Sequence, residues 1–284
     1  MKPLWWTGLA ACVFVLSAGT AVAGSSAQTS DVQASMLIKG TIAINTDGSV
    51  AGYTLHDPGQ LPKGVLEEMA KAVPQWKFQP VLRDGKAVRA KSVMHVRLVV
   101  KPAGGGKFGI SVAGAYFGNA AKSTTTVSEK HVFPPRYPRY DDFVPGTVYL
   151  MLKIGRDGKV QHVAARQVDL GIQGSATQMK QWRQVLTQVS TKAARQWTFT
   201  PPVQGPRAAD AYWVVSIPMN FRRRGRHVSR YGQWQAYIPG PVHFIPWLDQ
   251  HELAAESADA MPADGGLYPA RQSLHLLTHL RSGS

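Results

Sequence analysis

Trp197–Pro201 (WTFTP) repeats the spacing of Trp76–Pro80 (WKFQP), and this repeat decides how the fold is interpreted. In an extended chain, residues two apart point to the same side, so the Trp and Phe of each segment are expected to be buried together. The Pro that follows cannot donate to a strand ladder and is expected to end the strand. The two segments, called anchor segments below, predict two copies of one folded unit.

Each copy also contains an Asp-Gly pair between two apolar, alternating runs. Gly readily adopts the positive φ of a tight turn, so each pair predicts a hairpin. Between the hairpin and the anchor segment, apolar residues recur at helical spacing, which predicts one amphipathic helix in each copy. A β-rich run ends each copy, so the sequence predicts an α+β fold. The predicted structural core residues are Trp76, Phe78, Pro80, Trp197, Phe199 and Pro201, with Asp47, Gly48, Asp157 and Gly158 at the turns.

Residues 133–221 contain several short motifs in a distinctive order. This order resembles the C-terminal domain of TonB energy transducers, and residues 36–101 resemble it less completely. The resemblance implies two tandem small strand-strand-helix-strand domains, of which the first is degenerate. The motifs are Tyr137-Pro138, Gly146-Thr147-Val148, Asp157-Gly158-Lys159-Val160, a helix, the second anchor segment and a final strand.

The resemblance implies that the protein binds an extended segment of an outer-membrane or periplasmic protein. A small sheet with one helix leaves a strand edge exposed, and such an edge accepts a peptide as an added strand. A basic run directly follows the final strand, and we expect it to belong to the same surface. The predicted partner-binding residues are Tyr137, Pro138, Trp213, Val215, Ile217, Met219, Phe221, Arg222, Arg223 and Arg224.

The chain divides into five predicted regions. The apolar run that ends in Ala21-Val22-Ala23 predicts a secretory signal peptide and a periplasmic location. The alternative is an uncleaved anchor that holds the protein in the inner membrane, facing the periplasm. The regions are a signal peptide or anchor (1–23), a degenerate TonB C-terminal-like domain (31–102), a Gly/Ser/Thr-rich linker with an extra strand or hairpin at 108–117 (103–132), the better-matching domain (133–222), and a basic and aromatic extension with a partly disordered tail and a short terminal helix (223–284).

The charge is strongly positive, with 32 Lys and Arg against 17 Asp and Glu, or +15 formally. Such a surplus favours attraction to anionic envelope surfaces, although basic composition also serves solubility alone. An exported protein rarely meets nucleic acid, so no nucleic-acid partner is expected.

The sequence lacks the patterns of common catalytic and metal sites. Cys12 is the only cysteine and lies within the predicted signal peptide. His275 and His279 have the spacing of two ligands on one helix face, but no third ligand lies near them in sequence. Without a Gly-x-Ser-x-Gly elbow, no triad is indicated. We therefore expect no cofactor, no metal site and no enzymatic activity.

Three functional hypotheses remain at this point. The first is a periplasmic binding protein that uses strand addition. The second is a membrane-anchored energy transducer for outer-membrane transport, although the chain lacks an intramembrane His and a long Pro-rich spacer. The third is an envelope structural protein that contacts lipopolysaccharide or peptidoglycan.

Overall fold

A computed structural model describes residues 32–102, 108–118, 124–137, 143–205, 207–222, 231–248, 266–270 and 274–280. Over these residues the protein is an α+β fold with two α-helices and antiparallel strands. The elements are β1 (Gln33–Ile44), β2 (Val50–Leu55), α1 (Lys63–Ala72), β3 (Val81–Arg83), β4 (Lys86–Val88), β5 (Ala90–Pro102), β6 (Phe108–Phe117), β7 (Ser128–His131), β8 (Gly146–Gly155), β9 (Val160–Leu170), α2 (Ala176–Ala194), β10 (Thr198–Thr200), β11 (Tyr212–Phe221), β12 (Gln235–Tyr237) and β13 (Tyr268–Pro269).

The first sheet has the strand order β12-β1-β5-β6, and β2 pairs with the second half of β1. Helix α1 packs over one face and buries Val65 and Met69 completely. Alternate residues of β1 and β5 face this helix, as the two-residue period of a strand requires. The resulting core includes Met36, Ile38, Ile42, Ile44, Met94, Val96, Leu98 and Phe117.

The second sheet has the order β13-β11-β8-β9 and is covered on one face by α2. The helix begins with a capping box, in which Ser175 Oγ accepts from the Gln178 N–H and Gln178 Oε1 accepts from the Ser175 N–H. These two bonds satisfy donors that a helix start otherwise leaves unpaired. Its buried face includes Met179, Leu186 and Ala194.

Both anchor segments lie where the repeat predicts, in the cores of their respective halves. Their Trp and Phe side chains are at most 2% exposed. The prolines differ from the prediction, because Pro80 is exposed and Pro201 only half-buried. As imino residues without an N–H, they end the strands at the surface and are not core residues. The buried anchor side chains are Trp76, Phe78, Trp197 and Phe199.

Each Asp-Gly turn is bonded to the anchor segment of its own half. Gly48 and Gly158 have φ of 78° and 75°, the left-handed region that Gly tolerates. The Phe78 N–H donates to the Gly48 carbonyl at 2.9 Å, and the Phe199 N–H donates to the Gly158 carbonyl at 2.8 Å. The two halves therefore share one construction, in which the hairpin turn positions the anchor strand.

The aspartates of these turns are exposed and shape the turns from outside the core. Asp47 Oδ1 accepts from the Ser49 N–H at 2.9 Å and from the Ser49 hydroxyl at 2.6 Å. These bonds favour the ionised carboxylate and hold the pKa of Asp47 below its usual range. Asp157 Oδ1 similarly accepts from the Lys159 N–H at 3.0 Å.

The predicted linker over residues 103–132 is structured over two stretches. The extra strand expected at 108–117 is present as β6, which pairs with β5 and contributes Phe117 to the first core. Residues 128–131 form β7, which pairs with β10 beside the second anchor. The strand expected at 108–117 is thus present, whereas β7 carried no sequence signal, because its four residues are all polar.

The extension after residue 222 returns across both halves. Its first described part adds β12 to the β1 edge and bridges Leu170 through Ile238. Its last described part runs alongside the first anchor, where the Gln79 N–H donates to the His275 carbonyl and the Leu277 N–H to the Lys77 carbonyl. Residues 274–280 form bends and one isolated bridge and no helix, so the predicted terminal helix is wrong and the two histidines do not share a helix face. Leu274 and Leu276 instead join the first core.

The predicted signal peptide or anchor over residues 1–23 lies outside the described residues. The same is true of most of the predicted disordered stretch before Gly266. Neither helix that the structure describes is long and apolar enough to cross a membrane.

Replacing Trp197 by Ala is expected to lower the free energy of unfolding by about 3–5 kcal/mol, because a large, fully buried ring is removed. Denaturant unfolding followed by circular dichroism measures this loss. Phe244→Ala is the matched control, since that ring is 70% exposed and its loss is expected to cost little. Equal effects of the two substitutions would refute the role of Trp197 as an anchor.

A pair of glycine substitutions tests the contact between turn and anchor. A Cβ on Gly158 would lie 2.1 Å from the Phe199 carbonyl oxygen, whereas a Cβ on Gly85, at nearly the same φ, meets nothing within 4 Å. Gly158→Ala is therefore expected to cost at least about 2 kcal/mol more than Gly85→Ala. Similar melting temperatures for the two variants would show that only the φ angle, and not the close contact, constrains the turn.

Candidate functional site

The segment that leads into the second half is fixed by the second anchor. Strand β7 pairs with β10, and the Trp197 Nε1–H donates to the Phe133 carbonyl at 2.9 Å. This bond satisfies the indole N–H in the core and holds the following residues against the end of β11. Residues 132–137, called the lead-in below, thus lie beside the last residues of the terminal strand.

Tyr137 links the lead-in to the terminal strand. Its ring centroid lies 5.2 Å from that of Phe143 and 6.1 Å from that of Phe221. Its hydroxyl oxygen accepts from the Val144 N–H at 3.3 Å. The side chain is therefore a half-buried aromatic wall with its polar end already engaged.

A groove of about 370 Å³ lies between the lead-in and the end of β11. Its floor is apolar, because Ile217, Met219 and Phe221 are each less than a tenth exposed. Arg222 is the only charged side chain among the described residues that line it. This size and lining suit an apolar ligand with one acidic group. The remaining lining residues are Val132, Phe133, Pro134, Pro135, Tyr137, Phe143, Trp197 and Asn220.

Five of the predicted partner-binding residues meet in this groove, and two others do not. Trp213 lies at the far end of β11, where its Nε1–H donates to the Arg207 carbonyl at 3.0 Å. Val215 is buried in the core beneath α2. Pro138, Arg223 and Arg224 lie outside the described residues. The residues that meet are Tyr137, Ile217, Met219, Phe221 and Arg222.

The outer edge of β11 is partly covered by the protein's own extension. Strand β13 pairs with Val215 and Ser216, and the Ala270 N–H donates to the Val214 carbonyl at 3.0 Å. Tyr268 of β13 is buried against Tyr116 of the first sheet, with ring centroids 5.2 Å apart. The terminal strand is therefore not open along its whole length, as strand addition over all of it would require.

Pro218 lies within β11 without interrupting the second sheet. Because the Val214 carbonyl points to the outer edge, the backbone groups of every second residue, including Pro218, point the same way. The donor that Pro218 lacks is thus missing from the outer edge and not from the ladder with β8. This placement follows the rule that prolines in sheets lie on edge strands.

A second, smaller cleft of about 180 Å³ lies where the two sheets meet. The buried Arg97 guanidinium donates to Ser35 Oγ at 2.8 Å and to the Tyr149 hydroxyl at 3.0 Å. It also lies 5.8 Å from the ring centroid of Tyr237. Arg97 therefore links β5, β8 and β12, and the cleft is part of the contact between the two halves.

Arg183 of α2 holds the extension against the second sheet. Its Nε donates to the Val168 carbonyl at 3.1 Å and its Nη2 to the Pro239 carbonyl at 3.2 Å. Burial lowers the pKa of Arg183, and the nearby Asp169 carboxylate opposes this shift. Asp169 Oδ1 also accepts from the Gly240 N–H at 3.1 Å.

Sequence reasoning missed the residues through which the extension closes the structure. Tyr268-Pro269 repeats the Tyr-Pro of the lead-in, but no Gly-Val strand and no Asp-Gly turn follows it to mark a further copy of the unit. Arg97 and Tyr149 carried no sequence signal, since their contact joins residues from different halves. Over the described residues, no group of three or more His, Cys, Asp or Glu side chains is arranged to hold a metal ion.

No family model, curated protein or solved structure matches this chain.

Proposed function

We propose that this chain is a periplasmic protein-binding module of the TonB C-terminal type. It holds an extended segment of an outer-membrane or periplasmic protein in the groove at the end of β11, and it acts by binding, without catalysis. The observation that carries this proposal is the meeting of Tyr137, Ile217, Met219, Phe221 and Arg222 on one apolar groove.

The spacing of the groove floor supports an extended ligand. Ile217, Met219 and Phe221 are two residues apart on a strand, so their side chains recur about every 7 Å along the floor. An extended peptide has the same period in its own side chains, so every second side chain meets the floor. The prolines of the lead-in stiffen the opposite wall, which lowers the entropy lost on binding.

The electrostatics of the groove support a ligand with one acidic group. Arg222 is exposed at the groove and carries the only charge among its described lining residues. A guanidinium binds a carboxylate with two parallel hydrogen bonds when the geometry allows. An acidic side chain beside an apolar run therefore complements this surface better than a basic one.

Peptide binding tests the groove directly. The probes are synthetic peptides of about ten residues, taken from the N-terminal segments of outer-membrane transporters. Met219→Lys is expected to weaken binding at least tenfold, because a charge replaces an apolar part of the floor. Met219→Leu keeps the volume and polarity and is expected to retain binding. Calorimetric titration measures both, with melting curves to verify the folds.

Two results would contradict the proposal. One is that no peptide binds the wild-type chain. The other is that Met219→Lys, correctly folded, binds as tightly as Met219→Leu. An Arg195→Glu variant outside the groove serves as a control for general charge effects, since Arg195 is exposed at the end of α2.

The proposed location has its own test in fractionated cells. A mature chain that begins at Gly24 and is found in the soluble periplasm is the expected result, measured by intact mass and N-terminal sequencing. A chain that retains residues 1–23 in the inner membrane would replace this location by the anchored alternative.

A further inference from the structure

The hairpin formed by β3 and β4 stands apart from both main sheets. It is a separate two-stranded sheet with the register Val81↔Val88, Leu82↔Ala87 and Arg83↔Lys86. Its two-residue turn has φ of 51° and 74°, which matches the tight hairpin turn that Asp-Gly favours. Within the hairpin, Val81 packs against the first core.

This hairpin places two cations directly opposite each other. Arg83 and Lys86 are cross-strand partners, and like charges in this position destabilise a sheet. Arg89 and Lys91 follow within five residues, and all four side chains are exposed. Within the part of the chain that the structure describes, none of the four forms an ion pair. The only acidic residue between positions 81 and 91 is Asp84 at the turn.

The hairpin also exposes an apolar side chain. Leu82 is 64% exposed and points away from the face that carries Arg83 and Lys86, since successive residues of a strand alternate. Leu82 is paired with the exposed Ala87, so this face has no charge of its own on the two strands. The hairpin therefore carries exposed cations on one face and an exposed Leu on the other.

We propose that the β3–β4 hairpin docks the protein on an anionic phospholipid surface. The uncompensated cations match lipid phosphates, and each cation near such a surface adds to the attraction. Leu82 lies on the opposite face from Arg83 and Lys86 but next to them at the turn, so an approach of the hairpin tip first brings the cations to the phosphates and Leu82 to the boundary between head groups and acyl chains. The proposal concerns a surface distinct from the groove and does not depend on the function proposed for it.

Other anionic partners fit these observations less well. Binding to nucleic acid typically adds aromatic side chains that stack on bases, and residues 81–91 contain none. An acidic protein would need a surface shaped to a two-stranded hairpin, whereas a bilayer offers phosphates to any projecting cation. Leu82 can insert into a bilayer, whereas a protein partner would need a pocket shaped to receive it.

Vesicle sedimentation with the full chain tests the proposal. The vesicles contain phosphatidylcholine alone or with about a third of phosphatidylglycerol, at about 0.05 M and about 0.5 M salt. The double variant Arg83→Gln and Lys86→Gln is expected to bind the anionic vesicles about 30-fold more weakly than the wild type. It is also expected to melt at or above the wild-type temperature, because the repulsion across the hairpin is removed.

A matched control distinguishes the effect of the hairpin cations on vesicle binding from the effect of the protein's net charge. Lys180→Gln with Lys192→Gln removes the same charge from exposed positions of α2 and is expected to retain most of the binding. Leu82→Ser is expected to weaken binding to anionic vesicles while leaving its salt dependence unchanged.

Three results would overturn the proposal. The first is that the hairpin variant and the α2 variant lose the same amount of binding to anionic vesicles. The second is that the hairpin variant binds these vesicles as the wild type does. The third is that the wild type binds neutral and anionic vesicles equally. A hairpin variant that keeps vesicle binding but loses binding to polyglutamate would instead assign the hairpin to an acidic protein.

Discussion

The hydrogen bond from an anchor Phe N–H to the carbonyl of a turn Gly is the contact on which each half of the structure depends. It occurs at 2.9 Å between Phe78 and Gly48 and at 2.8 Å between Phe199 and Gly158. The Gly must have positive φ to present its carbonyl, and it must lack a Cβ to let the anchor strand approach. Once this bond is made, the Trp two residues earlier is directed into the core beneath the helix.

The two halves differ in what pairs with the other side of the anchor segment. In the second half, β7 pairs with β10 just before the lead-in. In the first half, the extension supplies the partner, through Leu276 opposite Phe78. The extension therefore completes the first half and, through β13, also covers part of the second sheet. Its described parts belong to the fold, although the composition of the extension suggests a loosely attached tail.

Local pattern was sufficient to predict the hairpins at the Asp47-Gly48 and Asp157-Gly158 turns, helices α1 and α2, and the burial of the two Trp and two Phe anchor side chains. Each of these features depends on spacing within a few residues. The pairing of Tyr268 with Ser216 and the bond from Arg97 to Tyr149 depend on residues 52 apart. A pattern within a short stretch of sequence does not identify such distant partners, because many polar and aromatic residues elsewhere in the chain could occupy the partner position equally well. The exposure of Pro80 has the same origin, since a strand-ending residue is equally consistent with the core and the surface.

The covered edge of β11 changes the physical basis expected for ligand binding at this strand. With β13 on Val215 and Ser216 and no donor at Pro218, the outer edge offers an interrupted series of backbone groups. Strand addition draws much of its affinity from an uninterrupted series of backbone hydrogen bonds along the strand edge. In the proposed mode, therefore, most of the affinity comes from side chains buried on Ile217, Met219 and Phe221, and specificity comes from the order of apolar and acidic residues in the ligand. A groove of this kind tolerates changes in the ligand backbone better than changes in the ligand side chains that meet the floor, which are every second one.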